Sequence, residues 1–312
     1  MGSVLRVALS FSVMLAVTAP VDLQAATASR QAALVRVEQH LLPDARVQPH
    51  PLLLTLGGPI YCAQLRNLAR NLGASLVCVD YGKNGYEGVG GRAARLEDWG
   101  DPAYLDAVAK LPATLRRSGV KISKLVIVGV SYSGFANAEL VATHPELRPA
   151  ALVVVDSFLD LTARFRALPL GHETRKELVT ALGGTPDTVP AAYADRSPSS
   201  HLDGLAAAIR AGMRFVDVWS VSDAERTEFW GATCSLQANA TWIAALASKL
   251  GQPVTGYVTQ LRHAHALWDR GMGLMQLALG PNGGKPLEAR AVTFWPRTPP
   301  PAGSYCTDVP VP

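Results

Sequence analysis

The chain is poor in charge, and what charge it has is not organised. Asp, Glu, Lys and Arg supply 17% of its 312 residues, no run of like charge stands out, and the net +4 is diffuse. A nucleic-acid groove or a polybasic membrane face needs basic side chains clustered, so neither partner is expected. Internal repeats and low-complexity tracts are also missing, which removes solenoid and linker-array readings. The four cysteines, Cys62, Cys78, Cys234 and Cys306, include no Cys-x-x-Cys pair, the spacing a zinc site or a redox couple uses. Gly85, Gly88, Gly90 and Gly91 lack the Lys-Ser/Thr that follows in a phosphate loop. His263 and His265 have no carboxylate or third histidine at ligand spacing, so neither a metal nor another cofactor is expected. His40, His50, His144, His172 and His201 are scattered and read as surface or capping residues.

What the chain does have is apolar residues, 48% of the total, enough to bury one large α/β core. The first stretch stands apart from that core. Met1 to Arg6 carries one positive charge, Val7 to Ala19 is an apolar run short for a bilayer, and Pro20 breaks it. Small-x-small sites follow at Leu23-Gln24-Ala25 and, better, at Ala26-Thr27-Ala28. Residues 1–28 are therefore expected to be a signal peptide, with an uncleaved N-terminal anchor as the alternative. Its removal loses Arg6 and Asp22, one charge of each sign, so the balance stays at +4. The mature chain is expected outside the cytosol, secreted or periplasmic, with no membrane span. In that setting the cysteines read as one or two disulfides, for which three pairings exist. The expected bridge is Cys234–Cys306, while Cys78, inside an apolar strand, fits an inert buried thiol equally well.

From residue 50 onward strand and helix signals alternate. Pro51–Leu56, Ala74–Asp80, Leu125–Val128, Ala151–Val155, Phe215–Trp219 and Pro253–Leu261 read as buried strands. Helical spacing falls at Cys62–Leu72, from Asp101-Pro102 to about Ser118, at Ala136–Ala142 and at Trp268–Leu279. The pattern predicts a doubly wound, mostly parallel sheet with helices on both faces, and a ligand site outside the carboxyl ends of its strands. Residues 158–212 are too many for one crossover, and their helical pieces broken by Pro and Gly read as a helical cap or an added layer. The domain extends over 29–280, and residues 281–312 form a Pro-rich tail with little means of staying docked.

Chemistry concentrates where Val126-Ile127-Val128 ends in Gly129-Val130-Ser131-Tyr132-Ser133-Gly134 and a helical stretch. In a strand–turn–helix of this kind Gly-x-Ser-x-Gly is a nucleophile elbow. Ser131 has Gly129 two before it and Ser133 two after, whereas Ser133 is followed at that spacing by bulky Phe135. A hydroxyl needs a base, and the fold supplies acid and histidine after later strands. Asp223 follows the Phe215–Trp219 strand, with Asp156 as runner-up; Asp217 lies mid-strand. His265 follows the last strand and precedes Ala266-Leu267-Trp268, and His263 is its alternative. The oxyanion donors expected are the Tyr132 N–H and, since Pro59 has none, the N–H of Gly58 or Ile60. Asn239-Ala240-Thr241 matches a glycosylation sequon.

These stretches resemble the α/β-hydrolase superfamily, in the form common to prolyl-oligopeptidase-type and X-Pro-dipeptidyl-peptidase-type serine hydrolases and their esterase relatives. Glu97 to Asp106 is similar to the stretch ahead of their elbow helix, and Tyr193 with Ser197-Pro198 to their Tyr-x-x-x-Ser-Pro. Trp219 to Asp223 stands where they carry His-Gly-x-x-Asp, and His265 to Trp268 where they carry Gly-His-x-x-Trp/Phe. The resemblance runs over about residues 50–280 and implies a serine hydrolase acting through an acyl-enzyme. Leu56 replaces their oxyanion tyrosine and Ala264 the glycine before their histidine, and neither a β-propeller nor a paired-Glu grip on an amino terminus is expected. A carboxylic ester is therefore the expected substrate, a short peptide the second, and a non-catalytic binding protein the reading from another class.

Overall fold

The computed structural model describes residues 35–81, 99–221 and 235–297. Eight strands form one sheet: β1 Val35–His40, β2 His50–Leu56, β3 Ser75–Tyr81, β4 Ile122–Val130, β5 Ala151–Val155, β6 Arg214–Ser220, β7 Val254–Thr259 and β8 Arg290–Phe294. Their order is β1-β3-β2-β4-β5-β6-β7-β8. The pairings from β3 through β7 are parallel, while β1 and β8 close the two edges antiparallel, on β3 and β7. Neither edge strand is predicted from the sequence. β8 also docks part of the tail that was expected to stay loose, with Val254 opposite Phe294 and Val258 opposite Arg290.

The inner strands are apolar because helices cover both faces. Side chains alternate along each strand, so Leu52, Leu54, Leu56, Ile127, Leu152, Val154 and Trp219 enter one core. Leu53, Val126, Val128, Val130, Val153, Val155, Val216 and Val218 enter the other. On the second face lie α1 (Gly58–Asn71), through Leu65 and Leu68, and α11 (Gly271–Leu279), through Leu274 and Met275. The first face carries α2 (Pro102–Ala109) and α3 (Leu111–Arg117), which replace the single helix predicted there; Lys110 joins them and Pro112 sits in the first turn of α3. It also carries α4 (Tyr132–Thr143) and α9 (Ser235–Leu250).

Residues 158–212 divide in two. α8 (Leu202–Arg210) packs against α4 and leads into β6, as an ordinary crossover helix does. α5 (Leu161–Ala167), α6 (Glu173–Leu182) and α7 (Pro190–Asp195) are the true insertion. Two of the stretches singled out in the sequence meet beneath it. Ser197 Oγ donates to Tyr193 O at 2.6 Å and accepts from Leu161 N at 3.0 Å, while Arg196 pairs with Asp101 at 3.4 Å. Asn239, fully buried, holds the start of the same insertion: its amide donates to Ser157 O at 2.6 Å and its Oδ1 accepts from Leu159 N at 3.2 Å. The sequon residue is thus a structural pin, with no room for a glycan. Among the described residues, no helix is long and apolar enough to cross a membrane.

Candidate active site

The sharp junction of β4 and α4 determines the site. Ser131 adopts φ 53°, ψ −125°, a left-handed-side conformation that costs a non-glycine residue on the order of 1–3 kcal/mol. It is partly exposed, whereas Ser133 is fully buried with its Oγ 3.3 Å from Thr55 Oγ1. The two serines of the motif are thereby distinguished: one faces outward from the elbow, the other is packed beneath it. Close packing also explains the small neighbours. A Cβ on Gly129 would fall on Ser133 Oγ and the Asn137 amide, and one on Gly134 would fall on Ser157 Oγ.

Two helix N-termini meet at this elbow. Tyr132 is the first residue of α4, and its N–H is among the donors that a helix start leaves without an intrahelical partner. Gly58 and Ile60 lie in the first turn of α1, with Gly57 as N-cap and Pro59 supplying no N–H. Gly57 abuts Ser133, where an added Cβ would come within 2.8 Å of the Ser133 Cβ. Asn137 ties α4 to the ends of β4 and β2, the strands that lead into the two helix starts, donating to Val128 O at 2.8 Å and accepting from Leu56 N at 3.3 Å. Sequence reasoning passes over Asn137 because a lone helical asparagine carries no motif. Its only signal is a polar residue within a largely apolar helical stretch, which Ser133 and Glu139 share.

Cys62, in the second turn of α1, is bonded to Cys78 in β3 with a Cα–Cα distance of 5.6 Å. Cys78 is therefore a half-cystine and not an inert thiol. Cys234 and Cys306, the pair expected from the sequence, lie outside the described residues. The ligand atoms of Glu38, His40 and Cys62 lie within 4.8 Å of one another, but the disulfide leaves that sulfur no thiolate to offer.

Of the acids, Asp223 lies outside the described residues. The runner-up Asp156 is fully buried at the exit of β5, with φ 49°. Its carboxylate accepts from Ser220 N at 2.5 Å, Ser220 Oγ at 2.8 Å and Ala264 N at 2.9 Å, so it faces a backbone turn and not an imidazole. Asp217 points into the core from mid-β6, without a hydrogen-bond partner on either oxygen. Burial, and then the charge of Asp156, push its pKa well above the ordinary carboxylate value; the neighbouring Val218 amide, off hydrogen-bonding geometry, relieves this only in part. Burial thus favours the neutral form of Asp217.

His265 opens the one-turn helix α10 (His265–Trp268), directly after Ala264 at φ 66°. Its Nδ1 lies 2.6 Å from Asp269 Oδ2 on the exposed side of that turn. His263, two residues earlier, is half-buried and also carries an interaction. Of the histidines read as surface or capping residues, His172 caps a helix and His201 instead reaches a buried carboxylate. His172 caps α6 by accepting from Thr174 N at 3.1 Å, and His201 pairs with the buried Glu139 at 2.8 Å, a contact that raises the pKa of the imidazole.

A cleft of about 80 Å³ opens at Ser131. Trp99, Phe135, Phe158 and Leu161 give it an apolar wall, and Arg164 and Glu177 add one charge of each sign. The Trp99 and Tyr132 rings pack edge-on at 5.0 Å, and Trp99 N donates to the Tyr132 hydroxyl at 3.2 Å. Side chains of α5 and α6 thus line the cleft at the elbow.

No family model matches the sequence, and no curated protein matches it. Solved structures do. A Mycobacterium tuberculosis puromycin-hydrolyzing peptidase superposes with a TM-score of 0.54 at 19% identity, over 82% of this chain and 39% of that one. A puromycin hydrolase gives 0.54 at 17% identity, over 82% and 39%. The uncomplexed Pyrococcus horikoshii acylaminoacyl peptidase gives 0.50 at 14%, over 78% and 40%. The chain therefore spans about two fifths of the length of these proteins. With its strand order, its elbow and these likenesses together, the chain has the α/β-hydrolase fold.

Proposed function

We propose that this protein is a serine hydrolase that cleaves a carboxylic ester through an acyl-enzyme. The observation that carries the reading is Ser131, partly exposed in a strained conformation between β4 and α4 and flanked by two helix N-termini. Its Oγ attacks the ester carbonyl while a histidine of the 263–265 turn takes the hydroxyl proton. The carbonyl oxygen becomes an alkoxide held by the Tyr132 N–H and by Gly58 or Ile60 N–H. The histidine returns its proton to the departing alcohol, and water then repeats the sequence to release the acid. Asp223 orients the imidazole. No cofactor takes part in this scheme.

Spacing assigns the base to His265. One observation favours His263 instead: the Nδ1 of His265, the atom an orienting carboxylate would take, already lies against Asp269. Peptide amides are the second substrate class, supported by the three peptide- or puromycin-cleaving proteins of similar fold. Export, with processing near Ala28, fits a Cys62–Cys78 bridge, since such bonds persist in oxidising compartments. N-terminal sequencing of the exported chain tests that part, and an intact Met1 would argue against cleavage. The function is tested by a panel of esters and short peptides, assayed with wild type and Ser131→Ala. Turnover of esters that is lost in the variant supports the reading, and equal turnover by both rejects it.

A further inference from the structure

The exit of β5 touches both halves of the proposed machinery. On one side it holds the nucleophile: Ser131 N donates to Val155 O at 2.8 Å, and Ser157 Oγ donates to Ser131 O at 2.6 Å. Ser157 Oγ also lies 3.1 Å from Val155 O, but it has one proton and the nearer acceptor takes it. On the other side it holds the histidine turn, because Asp156 Oδ2 accepts from Ala264 N at 2.9 Å. Ala264 stands directly between His263 and His265.

We infer that Val155-Asp156-Ser157 is the spacer that sets the distance from Ser131 to its base, with Asp156 as the positioning residue. The inference rests on the serine-hydrolase reading above. Asp156 is itself fixed from three directions. Its N–H donates to Val218 O at 2.9 Å, its Oδ1 accepts from Ser220 N at 2.5 Å, and its Oδ2 accepts from Ser220 Oγ at 2.8 Å. Ser220 Oγ also lies 3.3 Å from Arg262 O, but its single proton goes to the nearer carboxylate. Within the turn, Leu261 N reaches Thr259 Oγ1 and His265 N reaches Arg262 O, bonds that shape it without tying it to β5. The Ala264 N–H ties it to β5.

Backbone strain on both sides of that bond points the same way. Asp156 at φ 49° and Ala264 at φ 66° both occupy a region that residues with a Cβ avoid. Such conformations persist where the surroundings over-determine them. At Asp156 the strain turns one carboxylate toward the histidine turn while its neighbours on either side serve the serine. The serine and the histidine turn are then both held by three consecutive residues of one strand end, and not by two independent loops.

Asp156→Asn keeps the shape but sets an amide NH2 against the converging donors. The expected result is a fall in kcat of about 100-fold on the ester substrate with KM within about twofold, since roughly 1 Å of misplacement costs that much. The acidic limb of the kcat/KM profile should move, because the imidazole loses its fixed surroundings. Amide hydrogen exchange at Ala264 should accelerate by a similar factor, a readout that needs no turnover. A folded Asp156→Asn with wild-type kcat and a protected Ala264 amide overturns the inference. If that variant does not fold, Ser220→Ala, which removes one of three donors, carries the test: Ala264 exchange should rise and kcat should drop several-fold, and wild-type values for both overturn it. A wild-type protein that neither turns over ester nor reacts with a serine probe sinks the hydrolase reading instead, and Ala264 exchange in the variant still reports whether the clamp exists.

Discussion

Reducing the Cys62–Cys78 bond perturbs both the fold and the proposed oxyanion loop. The bond closes a 16-residue separation, and the chain-entropy estimate for a loop of that length is about 3 kcal/mol. Both cysteines are buried, so substitution by alanine also gives up packed sulfur, whereas chemical reduction removes no atoms. Reduction therefore isolates the entropic part. For a domain of this size about 3 kcal/mol corresponds to a drop in Tm of roughly 6–12 °C. The assay is thermal unfolding followed by circular dichroism with and without a phosphine reductant, alongside the Cys62→Ala/Cys78→Ala protein. Because Cys62 lies in the second turn of α1, two to four residues beyond Gly58 and Ile60, the reduced protein should also lose oxyanion stabilisation. Its kcat should fall at temperatures where it is still folded, with a fall approaching 10²-fold if one donor is displaced altogether. A reduced protein that melts and turns over like the oxidised one refutes the reasoning.

Three other outcomes follow from the same geometry. The folded protein keeps the proton of Asp217 to higher pH than the unfolded chain does, so this group's stabilisation is complete at low pH and is lost as pH rises from the ordinary carboxylate range toward the raised value, by on the order of 1 kcal/mol per pH unit. Asp217→Asn should flatten the decline of Tm as pH rises above the ordinary carboxylate range, and an identical slope in the variant contradicts the buried-acid account. Removing the true base should cost several orders of magnitude in kcat and removing its neighbour far less, so matched kinetics of His263→Ala and His265→Ala decide between the two. Phe158→Ala enlarges a cleft of about 80 Å³ and should shift preference toward bulkier acyl or leaving groups while serine-probe reactivity persists; an unchanged preference would mean that Phe158 does not limit what the cleft accepts.

The sheet was legible because its inner strands are short apolar runs bounded by Gly and Pro, a pattern that both covered faces demand. The elbow was legible because close strand–helix packing forces small residues around one serine, as Gly129 and Gly134 show. The edge strands were not. β1 (Val35-Arg36-Val37-Glu38-Gln39-His40) and β8 carry the mixed polarity of half-solvated strands, which lacks the apolar run of an inner strand. The Cys62–Cys78 bond was hidden because it depends on α1 packing back onto β3, a tertiary contact no spacing rule encodes. Asp156 was noticed for its place at a strand end, but its three donors come from Ser220 and Ala264, far along the chain. Asn239 presented a sequon in sequence and a buried pin in structure, since burial is not written in three residues.

The most direct measurement is the mass of the purified protein after reaction with a fluorophosphonate, followed by peptide mapping of the adduct. One adduct on Ser131, lost in Ser131→Ala and retained in Ser133→Ala, is the expected result. No adduct, or an adduct that persists in Ser131→Ala, would contradict the assignment of Ser131 as the nucleophile.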